Sequence, residues 1–189
     1  MAENNPFLSV RANAGDAERS MQWYRDQVKN LRDVTPRKLL SNAPELTTTI
    51  LPGAMYMFLY DAKYKETLPY WDMFPLVLPF RKVTNGFFGI NLHYLPYGTR
   101  FKLLGALSSL ANDAKLSENT RLRLNWDLLS SATRFAPIKA CVKHYLYQQL
   151  NSKFLNIKYP DWITASMLPV ERFQGANKSK VWRDSMEKI

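Results

Sequence analysis

The strongest structural signal in this sequence lies in residues 52–104, which hold most of the residue types that favour β-strands. Along residues 54–60 two sets of large apolar side chains alternate: Met55, Met57 and Leu59, and Tyr56, Phe58 and Tyr60. Because successive side chains of a strand point to opposite faces, this segment predicts a strand that is apolar or aromatic on both sides. Such a strand must be covered on both faces by other parts of the chain.

Two further segments of the same region are interpreted as strands. Residues 74–80 form an apolar run, but Pro75 and Pro79 lack backbone donors, so we expect this run at a sheet edge or in an irregular extended course. Residues 86–95 are apolar and aromatic, and they are entered through the turn signal Asn85-Gly86. We therefore predict a small, aromatic, barrel-like antiparallel meander within residues 54–95.

Helical patterns flank this predicted sheet. Residues 16–32 repeat apolar side chains at spacings of three and four, which predicts an amphipathic N-terminal helix. Three helices are predicted after the sheet: residues 100–111 with Thr99 as cap, a second helix capped by Ser117, and a third opened by Pro137 that covers residues 138–154. The predicted fold class is α+β, with a small antiparallel sheet between an N-terminal helix and a C-terminal three-helix group.

A chain of 189 residues suits one well-buried domain with attached arms. We interpret residues 1–15 as an N-terminal arm, residues 16–173 as a single α+β domain and residues 174–189 as a basic C-terminal arm. The sequence contains no uninterrupted apolar run of about 18 residues, which argues against a membrane-spanning helix. It also begins without a secretory signal, and its lone Cys141 fits a reducing compartment, so we expect assembly in cytoplasm.

The charge of the chain is unevenly distributed. The formal net charge is +10, from 26 basic and 16 acidic residues, and most of the excess lies from residue 100 onward. This asymmetry suggests an anionic partner for the second half, either nucleic acid or an acidic protein surface. A solvated basic face without a dedicated partner is the alternative interpretation.

Residues with catalytic or metal-binding chemistry are few. Cys141 and His144 are three apart in the third predicted helix, whereas nucleophile and base normally come from separate elements, so we interpret them as a core cysteine and a surface histidine. We expect His93 to be hydrogen-bonded at the edge of the core. Two histidines and one cysteine make a four-ligand zinc site improbable. We predict no catalytic residue, no metal and no cofactor, and hence no enzyme.

Three carboxylates are close together in the sequence around the first predicted hairpin. Asp61, Glu66 and Asp72 are interleaved with Lys63 and Lys65. Carboxylates on one loop can bind a divalent ion or transfer protons, but nothing in the sequence fixes their distances. We interpret them as a solvated loop in which opposite charges neutralise one another.

The predicted C-terminal arm contains the candidate partner-binding residues. Its single aromatic residue is surrounded by basic ones, and the proposed partner-binding set is Trp182, Lys178, Lys180 and Arg183. We expect Trp182 to enter an apolar pocket of an adjacent subunit, with the cations against acidic groups or phosphates. The alternative is an arm that packs on its own domain, because such packing also orders a terminus.

Several segments together carry a resemblance to a known class of proteins: GFFGINLHYLP, MYMFLYDAKYKETLPYWDMFPLVLPF, LPVERF and NKSKVWRDSMEKI. With these segments the chain resembles small virion-associated proteins of contractile-tailed bacteriophages of the T-even type. The resemblance implies a part of the phage particle at the tail, baseplate or neck, and some proteins of that class act on the packaged DNA terminus. It assigns no functional residue.

Two functional hypotheses follow from these observations. The leading one is a non-enzymatic structural component of a virion that binds neighbouring phage subunits through its arms. The alternative is a DNA-binding protein that caps or protects the end of the packaged double-stranded genome through its basic C-terminal half. No membrane partner is expected under either hypothesis. Affinity for duplex ends separates the two.

Overall fold

The computed structural model describes residues 6–15, 18–41, 44–111 and 117–187. Parts of the predicted arms, residues 1–5 and 188–189, and the start of the predicted N-terminal helix, residues 16–17, lie outside this description. The described chain combines helices with antiparallel sheet, and the predicted α+β class is confirmed. No helix in these four ranges is both long and apolar enough to cross a bilayer.

The α-helices of the described residues are α1 Pro6–Ala14, α2 Met21–Lys29, α3 Pro36–Ser41, α4 Tyr97–Ala111, α5 Glu118–Ala132, α6 Ala136–Cys141, α7 Trp162–Met167 and α8 Lys178–Glu187. The strands are β1 Leu46–Thr47, β2 Met55–Met57, β3 Trp71–Asp72, β4 Leu76–Val83, β5 Gly86–Asn91, β6 Val142–Leu146, β7 Phe154–Ile157 and β8 Phe173–Gln174. A six-stranded antiparallel sheet has the order β1-β7-β2-β4-β5-β6, and β3 pairs separately with β8. Strands from both halves of the chain thus form one sheet.

Helix starts follow the expected capping chemistry at several positions. The Ser117 side chain accepts a hydrogen bond from the Thr120 amide, as predicted, and Thr35 Oγ1 accepts one from Lys38 at the start of α3. The predicted N-terminal helix is shorter than its pattern, because Ser20 caps it directly before Met21. Thr99 is not the cap of α4, since that helix begins two residues earlier and the Thr99 amide donates to the Pro96 carbonyl.

The proline-containing run forms a central strand and not an edge. β4 lies between β2 and β5, and the register between β4 and β5 shifts from Pro79 to Arg81. A sheet tolerates a missing backbone donor at a bulge, so the absent N–H of Pro79 removes no hydrogen bond from the regular part of the ladder. The bulged Phe80 uses its carbonyl to accept the indole N–H of Trp126 on α5. The edge position predicted for this run was wrong, whereas the bulge corresponds to the alternative, an irregular extended course.

The prediction of a third helix after the sheet was wrong over most of its length. α6 ends at Cys141, and the chain continues as the edge strand β6 and later as β7, which lies between β1 and β2. β6 pairs with β5 from Ile90↔Val142 to Gly86↔Leu146. Gly86 is required at this contact, because a Cβ there would lie 2.0 Å from the Tyr145 carbonyl oxygen. The region of the predicted three-helix group therefore contains one strand of the sheet, β6, and β7 begins where the predicted third helix ends.

The sheet separates two apolar cores, as the alternation in residues 54–60 predicted. Met55 and Met57 belong to the larger core, which the helices cover, while Tyr56 and Phe58 belong to an aromatic core on the opposite face. The Phe58 and Tyr145 rings are 5.2 Å apart between centroids. In a flat sheet, strands β2 and β6 would be about 14 Å apart, so this contact requires a strongly curved sheet. The aromatic core is enclosed by that curvature.

Candidate nucleic-acid interface

One part of the sheet carries only positive charge. No Asp or Glu occurs between Asp72 and Asp113 or between Asp127 and Asp161 in the sequence. These two acid-free stretches supply four strands of the large sheet, β4, β5, β6 and β7. A surface of cations without interspersed carboxylates produces the positive potential that attracts the phosphates of nucleic acids.

Three of these strands bring two basic side chains onto one phenylalanine. Arg81 of β4 pairs with Phe88 of β5, and Phe88 pairs with His144 of β6. The Arg81 guanidinium carbon lies 4.4 Å from the centroid of the Phe88 ring, and the His144 ring is stacked on Phe88 at 4.5 Å and 12°. Arg81 and His144 are exposed, so this cross-strand ladder presents planar donors to solvent.

Other cations are adjacent to the ladder in the sequence, and strand alternation places Lys82 and Lys143 on the opposite face of the sheet. Lys82 and Lys139 are exposed, and the half-buried Lys143 donates from Nζ to the Ala140 carbonyl at 2.9 Å. Lys143 Nζ also lies 4.1 Å from the centroid of the Tyr94 ring. We call this set the basic edge: Arg81, Lys82, Lys139, Lys143 and His144. It lies along the β6 side of the sheet. Its residues belong to the two stretches of the sequence that contain no Asp or Glu.

The buried polar centre of the protein was missed by the sequence analysis. Asp72, predicted to lie in a solvated loop, is 4% exposed, and its Oδ2 lies 2.7 Å from Nδ1 of the fully buried His93. Burial alone would raise the pKa of Asp72, but attraction to His93 and hydrogen bonds from His93 and the amides of Arg172 and Phe74 lower it below its ordinary value. The interpretation of Asp72 as solvated was wrong, whereas Asp61 does pair with Lys65 at the surface.

Arg100 is the second member of this centre. It is fully buried, and it donates to the carbonyls of Leu95 and Ser166, both at 2.7 Å, and to that of His93 at 3.1 Å. Through these hydrogen bonds the Arg100 guanidinium connects the start of α4 with the segment before it and with α7. Nothing in the apolar stripe of α4 distinguishes this arginine from an exposed one, so no sequence signal reveals it.

The helix predicted to hold both Cys141 and His144 was wrong, but the interpretation of a core cysteine and a surface histidine is confirmed. Cys141 ends α6 and is buried, whereas His144 is exposed on β6, so the two do not share a helical face. Burial raises the pKa of the Cys141 thiol to about 12, although nearby Lys143 and Arg100 act in the opposite direction. A thiol in this state is a poor nucleophile. Across the described ranges, no cluster of His, Cys, Asp and Glu is placed to hold a metal ion.

The residues proposed to bind a partner lie on α8, against the chain's own domain. The half-buried Trp182 donates its indole N–H to the His93 carbonyl at 2.9 Å and packs on the Tyr97 ring. Lys178 pairs with Glu171 at 3.1 Å and Lys180 with Asp184 at 2.9 Å, while Arg183 is exposed. This placement corresponds to the alternative in which the segment packs on its own domain. Partner binding by these four residues stays a prediction.

The fold is an α+β domain with a curved antiparallel sheet, and its acid-free basic edge suits a protein that binds polyanions. Comparison with known families agrees with this surface. A family model described as the phage T4 terminal DNA protecting protein matches residues 8–185, and the chain belongs to that family. Neither the curated proteins nor the solved structures contain a match to the chain.

Family membership confirms the resemblance to T-even phage proteins drawn from the sequence. The family description names protection of terminal DNA, which favours the alternative hypothesis over a tail, baseplate or neck subunit. It describes a protecting protein and names no reaction. The acid-free stretches are visible in the sequence when the positions of acidic residues are considered instead of the net charge alone, and this signal was missed.

Proposed function

We propose that this protein binds the ends of linear double-stranded phage DNA and protects them as a component of the virion. The observation that carries the proposal is the family match over residues 8–185. The basic edge supports it, because its four cations and one histidine lie on stretches of the chain that contain no acidic residue. Contacts to phosphates do not depend on base sequence, so such a surface suits any DNA end.

Protection in this proposal is steric and needs no chemical step. A protein held on the last base pairs covers the terminal phosphates that an exonuclease must reach. The Asp72–His93 pair is buried under the fold and hydrogen-bonded there, which suits a structural role. Contacts with other phage structural proteins would place the protected end within the particle, and the α8 residues remain our candidates for those contacts.

A triple substitution on the basic edge tests the proposal. We expect Arg81→Gln, Lys82→Gln and Lys143→Gln together to weaken binding to a blunt duplex end and to shorten the survival of that DNA in an exonuclease digest. Each lost phosphate contact should reduce the slope of log affinity against log salt by about 0.9, hence by up to about 2.7 for three contacts. Fluorescence anisotropy across a salt series measures this slope.

A second triple variant is the matched control. Lys29, Arg32 and Arg37 are exposed cations on and after α2, and their substitution by glutamine removes the same net charge. We expect this control to keep most of the salt slope and of the nuclease protection. Equal losses in the two triple variants would show that net charge alone acts and would contradict the basic edge as the binding surface. Absence of binding to any duplex end by the unsubstituted protein would overturn the proposed function.

A further inference from the structure

A groove lies beside the basic edge, between strand β6 and the loop that connects β2 to β3. Its volume is about 300 Å³. The lining combines aromatic rings with cations, and the residues used below are Lys63, Tyr64, Tyr94, Lys143 and His144. A groove of this volume is at the lower limit of about 300 Å³ for small-molecule sites, so it admits single bases but not a duplex.

The groove has an exposed aromatic platform. Tyr64 is 61% exposed, and Lys63 Nζ lies 5.3 Å from the centroid of the Tyr64 ring. On the inner wall, Lys143 Nζ is held over the Tyr94 ring. Aromatic rings with adjacent cations are the combination by which proteins hold unpaired nucleotides, because bases stack on the rings and phosphates meet the cations.

The charge of the groove fits a polyanion. Among the lining residues of the described chain, Asp72 is the one carboxylate, and His93 and backbone amides already occupy its oxygens. Glu66, on the same loop, is exposed and is not part of the lining. Lys63 and Lys143 thus give the lining a positive charge, which is complementary to a phosphate chain.

Lys143 and His144 belong both to the groove and to the basic edge. A duplex held on the basic edge with its end toward β6 therefore places its last nucleotides at the mouth of the groove. We propose that the groove binds the unpaired terminal nucleotides of a DNA end, with a base stacked on Tyr64 and the backbone at Lys143. This inference rests on the proposed function and specifies the form of DNA end that the protein prefers.

The test compares one duplex with three kinds of end: blunt, with a single-stranded 3′ extension of thymidines, and with the same extension at the 5′ end. We expect the unsubstituted protein to bind one of the extended ends about tenfold more tightly than the blunt end, since stacking on an aromatic side chain contributes a factor of this order per base. Tyr64→Ala should abolish this preference and leave the affinity for the blunt end unchanged. Tyr64→Phe, which keeps the ring, should retain it.

Phe135→Ala is the matched control, because Phe135 is a 68% exposed aromatic residue outside the groove lining. It should keep the preference for extended ends. A protein that binds all three ends equally, or a Tyr64→Ala variant that keeps the preference, overturns the groove assignment while DNA-end binding stands. Failure to bind any end overturns the proposed function and the groove together. Circular dichroism melts of each variant establish that the fold is intact.

Discussion

A chain that ends at Phe173 should lose most of its stability. Deletion of residues 174–189 removes α8, whose Val181 is fully buried, and it uncovers the buried Arg100 beneath Trp182. It also leaves Glu171, which is 9% exposed, without Lys178. Burying one large apolar side chain contributes about 1.5–3 kcal/mol, so the combined loss should be about 5 kcal/mol. This is comparable to the total stability of many domains, about 5–15 kcal/mol.

Thermal and urea melts of the truncated and full-length chains measure this effect. Lys180→Gln with Arg183→Gln is the control, because both side chains are exposed on α8 and their substitution should change the free energy of unfolding by less than about 0.5 kcal/mol. A truncated chain with an unchanged melting temperature would contradict the contribution of α8 to the core. That result would instead support the sequence-based expectation of an arm that binds a neighbouring subunit.

Asp72→Asn should produce the second large loss of stability, because it removes the charge that faces His93 inside the fold. The Asp72 carboxylate accepts hydrogen bonds from the amides of Phe74 and Arg172 besides its contact with His93, and leaving a buried donor without its acceptor costs about 1–3 kcal/mol, more at a charged group. Asp61→Asn is a matched control from the same cluster of the sequence, since the Asp61–Lys65 pair is at the surface and such pairs contribute about 0–1 kcal/mol. Urea unfolding at pH 7 measures both differences in the free energy of unfolding.

The effect of Asp72 should depend on pH in a defined direction. Its pKa is lowered in the folded protein, so its contribution is fully present above the pKa of the unfolded chain, about 3.9 for an ordinary aspartate. The contribution is lost as pH falls below that value and through the folded pKa. The unsubstituted protein should therefore lose stability in acid more steeply than Asp72→Asn. An equal difference between the two proteins at pH 7 and pH 3 would refute this assignment.

Parts of the fold that depend on local pattern were predictable. The alternation of Met55 and Met57 with Tyr56 and Phe58 places these pairs in separate cores, as observed, because strand periodicity is a local property. β6 was not predictable in this way. Val142, Tyr145 and Leu146 have spacings that also fit a helix, and Tyr145 is placed in a strand by its contacts with Phe58 and Phe87, which are distant in the sequence.

The candidate site, like the fold, was predictable from the sequence only where it does not depend on contacts between distant residues. An anionic partner followed from the excess of basic residues, which needs no structure. The basic edge itself joins Arg81, from the half with almost balanced charge, to His144 across Phe88, and only the strand order brings these residues together. Likewise, Asp72 is buried because of His93 and the backbone of Arg172, partners that its own neighbours in the sequence do not reveal.

The position of β7 between β1 and β2 has a consequence for synthesis of the protein. Met57 pairs with Leu155, so β2 has no partner on that side until roughly 100 further residues have left the ribosome, which takes about 5–20 s at typical bacterial rates of elongation. During this interval the nascent chain exposes a strand that is apolar on both faces. Such a strand is prone to aggregation, and folding of the sheet must therefore be largely post-translational.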